Sequence, residues 1–396
     1  MIGDAKYPSD ISPIWNPEAF FNVMVVNGVS WPNLDVEPDL YRFRLLNGCN
    51  SRFLNLSMFV VDPVTNQITN AEIPFWQIGA EQSLLPAVVQ VETGFKNGTA
   101  TTDPQEALLM GLAERADVIV DFSGLAPGTR VRMINTAPDA PFGGFPDIPA
   151  DPATTGQVME FTVVTDTAAG EDFTPPQDLV LSLPDDTDPA NGPALPGARD
   201  LALIEEESIL VCATIKPNGV ISFDKKATPD PLNLGTCLDK KGRLAKSIPF
   251  APKAAVLGIN GAAGGTVTLW SDPIATNPGV GDTETWELWN WTVDGHPIHL
   301  HLVKFKVVNR EVFDPLTGVL SGVVALPPAT EAGWKDTVIA LPGEVTRVNA
   351  TFDIAGLYVW HCHIVEHEDN EMMVPYVVGE PGADFADPNG TISGLF

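Results

Sequence analysis

No run of about 18 or more apolar residues occurs in the 396-residue sequence, so no membrane-spanning helix is expected. Basic residues are scarce: 22 Lys and Arg stand against 51 Asp and Glu, a formal net charge of −29. A surface of that sign repels phosphate backbones, which argues against nucleic acid as a partner. Cysteine is limited to Cys49, Cys212, Cys237 and Cys362, too few for a scaffold built on disulfides. The first residues, MIGDAKYPSDISPIW, contain neither a basic stretch nor an apolar one and do not read as a secretory signal. No long amphipathic helical period stands out. Histidine is nearly as rare as cysteine, with six in the whole chain.

What is present points to strands. Hydrophobic residues make up 44% of the chain, and 34 Gly and 36 Pro break them into short runs. Alternating runs bounded by Gly, Pro, Asn and Asp predict an all-β protein. A Pro- and Asp-rich stretch at 173–198 reads as a linker, which would leave one domain at 1–172 and another at 199–396. The two halves look like distant copies of one antiparallel unit. YRFRLLNGCNSRFLNL (41–56) alternates, reaches Asn47 and turns; ETWELWNWTVDGHPIHLHLV (284–303) alternates, reaches Asn290 and turns. Only the second copy carries histidines. Cys49 is most simply a small core residue. Cys212 and Cys237 flank a Lys-rich segment and are either one disulfide or two buried thiols. That segment holds Lys216, Lys225, Lys226, Lys240, Lys241 and Lys246 and reads as a solvated loop or as a neighbour of a substrate opening.

All six histidines lie in two motifs, His296-Pro-Ile-His299-Leu-His301 and His361-Cys362-His363-Ile-Val-Glu-His367-Glu-Asp-Asn-Glu-Met372. On a strand, alternate side chains face opposite ways. His361 and His363 therefore share one face, and the Cys362 thiol takes the other. His299 and His301 likewise share a face, while His296, across a Pro, can leave it. Sorted by chemistry, Cys362, His296 and His367 offer one thiolate and two imidazoles, and Met372 a long axial thioether. That set is the blue-copper electron-transfer arrangement. The other four imidazoles, His299, His301, His361 and His363, suit copper ions that bind oxygen. Zinc, the alternative, favours closed four-ligand sites and fits this donor set poorly. Met372 beside Met373 is otherwise plain core packing.

HPIHLHLVKF and HCHIVEHEDNEMM resemble the third and fourth copper-binding motifs of multicopper oxidases, the family of bacterial laccases, spore-coat laccase and bilirubin oxidase. NVMVVNGVSWPNLDVEPDLYRFRLLNGCNSRFLNL resembles the start of that family's middle domain, and ERADVIVDFSGLAPG its later strands. The resemblance implies two cupredoxin-like Greek-key β-barrel or sandwich domains, the middle and C-terminal ones of the family. It implies type 1 copper at His296, Cys362, His367 and Met372, type 2 copper at His299, and a type 3 pair at His301, His361 and His363. Glu368 matches an acidic residue that passes protons toward bound oxygen; its other reading is a solvated carboxylate in an acidic run. Asp294, two residues before His296, is a candidate to orient that imidazole by a hydrogen bond.

The sequence departs from the family in one respect. Members carry a further domain with two more His-X-His motifs, and neither motif is present. Four of the eight imidazoles of a trinuclear centre are thus encoded, and a chain truncated at its N-terminus is the expectation; a head-to-tail homo-oligomer does not rescue the count, and the other ways to complete it are a twofold dimer that pairs two half-sites or a separate chain that carries the missing domain in trans. The implied activity is one-electron oxidation of phenols, bilirubin-like compounds or metal ions, with dioxygen reduced to water. The alternatives are a type 1 copper electron-transfer protein and an inactive fragment that self-associates. Family members are usually periplasmic, extracellular or in the spore coat.

Overall fold

The computed structural model describes residues 8–12, 15–165, 174–181, 187–216, 221–233, 235–261 and 264–379. Its regular structure is almost all strand, and helix is confined to single short turns such as Val365–Glu368.

In the first half, two six-stranded sheets face each other. Arg115–Asp121 shows why: its exposure alternates residue by residue, and Ala116, Val118 and Val120 point inward. They meet Leu56, Met58, Val131, Met133 and Phe161 from the opposite sheet in one core. Burying such side chains stabilises the sandwich by about 1.5–3 kcal/mol each.

In the second half, a seven-stranded sheet packs on a four-stranded one. Trp286, fully buried, stacks on Phe352 and meets Trp360 and Tyr376 edge-on, joining the two layers. The four-stranded sheet runs Thr337–Ala340, His296–Leu300, Gly356–Cys362, Met373–Val378. It carries both histidine motifs.

The pairing is not wholly antiparallel. Among the described residues each half contains one parallel pair, Asn33–Val36 with Gln157–Val163 and Arg199–Glu206 with Asp282–Asn290. Parallel neighbours cannot be joined by a tight hairpin, and in both halves the two strands of the pair are far apart in sequence. The repetition of this pair in both halves matches a duplicated unit. Among the described residues, no strand up to Val163 pairs with a strand from Arg199 onward.

Residue 173 and residues 182–186 of the Pro- and Asp-rich stretch lie outside the described residues. The described part holds a 3-10 turn, Pro176–Asp178, and then runs along the second half. There Asp188 accepts from Thr351, and Gly192 and Pro193 carbonyls accept from Asn349.

The halves meet through side chains. Arg115 clasps Asp336 at 2.6 and 2.9 Å. Lys335 reaches Glu81 at 2.9 Å and Glu114 at 3.1 Å. Phe53, Leu112 and Phe142 of the first half complete the apolar core that encloses Cys362 and Met372.

Cys212 and Cys237 form a disulfide, and their two buried sulfurs anchor a small lobe of short strands. Lys216, Lys225, Lys226, Lys240, Lys241 and Lys246 are exposed on it.

Candidate metal centre

Two adjacent strands build the site. Ile298 lies opposite Cys362, His299 opposite His361 and Leu300 opposite Trp360. One residue step turns the side chain over, so His299 and His361 look out from one face, and the Cys362 thiol enters the core on the other. The chain leaves Cys362 into the turn Val365–Glu368, which brings His367 back beside the thiol. Met372 N–H donates to His367 O, and Cys362 N–H to Met372 O, closing the loop.

The first cluster is His296, Cys362 and His367, all fully buried. Cys362 Sγ is 3.6 Å from His296 Nδ1 and 3.9 Å from His367 Nδ1. Donors sharing one first-row metal ion at bond lengths of about 2.0–2.3 Å, at angles of about 109–125°, lie about 3.4–3.9 Å apart, so these separations fit. Burial pushes the Cys362 thiol well above its usual value. Burial, with His296 next, lowers His367 to about 3, so its imidazole is neutral at ordinary pH. A neutral imidazole pair and a thiol that yields its proton only to a metal are what binding requires. Met372 is fully buried in the same core as Cys362.

The second cluster is His299, His301 and His361, with His363 at its edge. His301 Nε2 is 3.1 Å from His361 Nε2. His299 Nδ1 donates to the Asp336 carbonyl at 2.8 Å, which leaves its other nitrogen free for a metal. Burial, then the neighbouring His299 and His361, lowers His301 to about 4. His301 is exposed and His299 and His363 partly so, so the cluster is open on one side.

Glu368 Oε2 lies 3.3 Å from His361 Nδ1 and 3.7 Å from His363 Nδ1. Burial alone would raise its carboxyl, but the hydrogen bond from His361 and the charge of both imidazoles hold it below the usual range. It is thus not a freely solvated side chain. Asp294 is placed differently from its expected role: its Oδ1 stands 3.7 Å from His296 Nε2, beyond hydrogen-bond reach. The contact at 2.8 Å is the Thr292 hydroxyl.

Sequence reasoning missed three further neighbours. Glu18 and Glu205 converge on Asp294 from far along the chain. Burial and the Asp294 charge raise Glu18 to about 10 and Glu205 to about 9. Trp15 stacks on His367 at 6.1 Å and donates its indole N–H to Pro252 O. Trp15 and Ile11 also pack on Val211, Ala213 and Phe250, at the base of the Lys-bearing lobe. No local pattern marks Glu18, Glu205 or Trp15, because only the tertiary fold brings them to the site. Thr292 had a signal, a hydroxyl residue four positions before a ligand histidine at a strand end.

A β-sandwich pair that offers a buried thiol with two imidazoles on one face and four imidazoles on the other defines a copper protein of cupredoxin type. Residues 253–382 match the multicopper oxidase family model. The chain is 32% identical over 381 residues to a laccase of Bacillus subtilis (strain 168), covering 94% of this chain and 58% of that one. It is 29% identical over 406 residues to a laccase of Haloferax volcanii, covering 99% and 54%. The fold superposes on a variant of a multicopper oxidase from the hyperthermophile Aquifex aeolicus with a TM-score of 0.55 and 25% identity, covering 93% of this chain and 62% of that one. Residues 253–382 thus match the multicopper oxidase family, whose metal is copper, and the chain as a whole is similar to laccases and other multicopper oxidases. It spans little more than half the length of the curated relatives it matches.

Proposed function

We propose that this chain forms the electron-accepting part of a laccase-like oxidase and half of its oxygen-reducing centre. His296, Cys362 and His367 would hold type 1 copper, with Met372 offering a thioether. His299 would hold type 2 copper, and His301, His361 and His363 would contribute to the type 3 pair. When bound, copper supplies one-electron redox chemistry, taking electrons singly from a small reductant and delivering four to dioxygen, which becomes water. The observation that carries the reading is Cys362 itself. Its thiol lies in the first cluster, while the residues on either side, His361 and His363, lie with the second, so one short strand joins the two.

The chain's own groups serve this chemistry in definite ways. Phe53, Leu112 and Phe142 keep water from the thiol. Glu368 holds a charge next to His361 and His363, where a proton is needed as oxygen is reduced. His301 is exposed and His299 and His363 partly so, which leaves the second cluster open to further imidazoles from outside these 396 residues.

A second donor class, metal cations, is favoured by Glu18, Glu205 and Asp294. They gather beside His296 and His367, and a cation could displace the protons that Glu18 and Glu205 hold. The alternative activity, type 1 electron transfer alone, follows if the second cluster stays incomplete.

Copper counting decides between them. The purified chain is loaded with copper under reducing and then oxidising conditions. About four per functional unit, with oxygen uptake, supports the oxidase. About one, with a blue thiolate band and no oxygen uptake, means electron transfer alone. No blue band at any loading overturns both.

A further inference from the structure

A histidine can present Nδ1 to a metal only if its proton sits on Nε2, and at His296 the surrounding hydrogen bonds decide where that proton sits. The chain of constraint begins at Asn290, the fully buried last residue of the strand Asp282–Asn290. Its side-chain amide donates to Asp294 O at 2.8 Å and to Ala340 O at 2.9 Å. Both amide protons are therefore committed, and Oδ1 is left purely as an acceptor. It receives the Thr292 backbone N–H at 2.9 Å and faces the Thr292 hydroxyl at 2.8 Å.

That hydroxyl has one proton. Its other near neighbours besides His296 are Asp294 O at 3.0 Å and Asp294 Oδ1 at 3.2 Å, both acceptors, and the Asp294 backbone N–H, which donates to one of its lone pairs at 3.4 Å. If one of these three oxygens takes the proton, Thr292 Oγ1 has only lone pairs left for His296 Nε2, 2.8 Å away. The nitrogen must then be the donor. His296 is fully buried, so no water offers it another partner without displacing this one. With the proton on Nε2, the Nδ1 lone pair is aimed toward Cys362 Sγ, 3.6 Å off.

The first half of the chain supplies an internal comparison. Asn47, at the matching strand end, donates to Arg52 O at 2.9 Å and Met110 O at 3.1 Å, and its Oδ1 accepts the Cys49 N–H at 3.1 Å. The asparagine brace is the same, so it belongs to the fold. Two residues on, the half without histidines carries Cys49, and the half with them carries Thr292. The hydroxyl is what differs where a ligand imidazole must be oriented.

We propose that Thr292 is a positioning residue whose hydroxyl, oriented by Asn290, locks His296 in the Nε2–H tautomer and so presents Nδ1 to copper. This rests on the reading that His296, Cys362 and His367 hold that copper. Asp294 acts at one remove, as a competing acceptor for the hydroxyl proton.

The test uses the copper-free chain with 15N-labelled histidine. Long-range proton–nitrogen correlation spectra report the tautomer of each imidazole, with His296 assigned by its loss in His296→Gln. Wild type and Thr292→Ser are expected to show His296 as Nε2–H. Thr292→Val, which keeps the volume and removes the acceptor, is expected to show a mixed or Nδ1–H imidazole. Copper titrated against a competing chelator should bind Thr292→Val about 10–100-fold more weakly, as removal of such outer partners typically does, while Thr292→Ser stays near wild type. A purely structural role would shift the unfolding midpoint without moving the tautomer. Wild-type His296 in the Nδ1–H form overturns the proposal even if Thr292→Val fails to fold. So does Thr292→Val with wild-type tautomer and affinity. An Nε2–H imidazole in a wild-type chain that takes up no copper overturns the copper reading and leaves the tautomer assignment standing.

Discussion

Glu18 and Glu205 each make a contribution to the stability of the copper-free chain that falls with rising pH, opposite in sign to that of the histidines lowered by burial, and its size follows from their surroundings. Each has an ordinary carboxyl value of 4.5 and is raised, by burial and then by Asp294, to about 10 and about 9 respectively. A group raised on folding leaves stability intact below its unfolded value and removes it as pH climbs toward its folded value. Between about pH 6 and 8 the native state therefore holds two protons that the unfolded chain has released. Each contributes a slope of about −1.4 kcal/mol per pH unit, so the pair gives about −3. Across those two pH units the loss approaches 6 kcal/mol, comparable with the whole stability of many domains, about 5–15 kcal/mol. Glu18→Gln combined with Glu205→Gln keeps a donor for Asp294 and removes both ionisations. The assay is denaturant unfolding of copper-free protein at pH 6, 7 and 8. Glu81, raised to about 7 by burial despite Lys335, contributes in both proteins and cancels in the comparison. The double variant is expected to gain on wild type with each step up in pH. Parallel stability curves for the two proteins would refute the reasoning.

Three further outcomes are expected. Lys335→Met strands Glu81 and Glu114, whose side chains are almost wholly buried against it, and should cost about 3–5 kcal/mol in denaturant unfolding; a loss under 1 kcal/mol would mean that the cluster is wetter than its burial implies. In a copper-loaded chain, Cys362→Ser should abolish a blue absorption band, while His363→Ala, on the other side of the strand, should leave the band and stop oxygen uptake; bleaching by His363→Ala would undo the division of ligands into two clusters. Replacing Cys212 and Cys237, which close a loop of sequence separation 25, by Ala should destabilise the lobe by about 3 kcal/mol, seen as faster proteolysis between them, with the histidine clusters intact.

Much of the centre was legible in the sequence because it is local. A Cys between two His on a strand has to send thiol and imidazoles to opposite faces, and His299-Leu-His301 obeys the same period of two. The strands themselves were readable from alternation, as in Arg115–Asp121. The contacts that tune these residues are not local. Glu18 and Glu205 meet Asp294 from sequence distances that no pattern spans, and Trp15 reaches His367 across most of the chain. Whether Cys212 and Cys237 joined was likewise open until their strands were placed. Asp294 shows the limit from the other side: proximity in sequence suggested a hydrogen bond to His296, but the turn after Asn290 brings the Thr292 hydroxyl closer. The opposite faces taken by the Cys362 thiol and its flanking histidines are properties of covalent order and strand period, so the sequence alone determined them. Which groups surround the ligands, and hence their protonation, tautomer and shielding from water, depends on side chains converging from distant segments, and only the tertiary structure decided it.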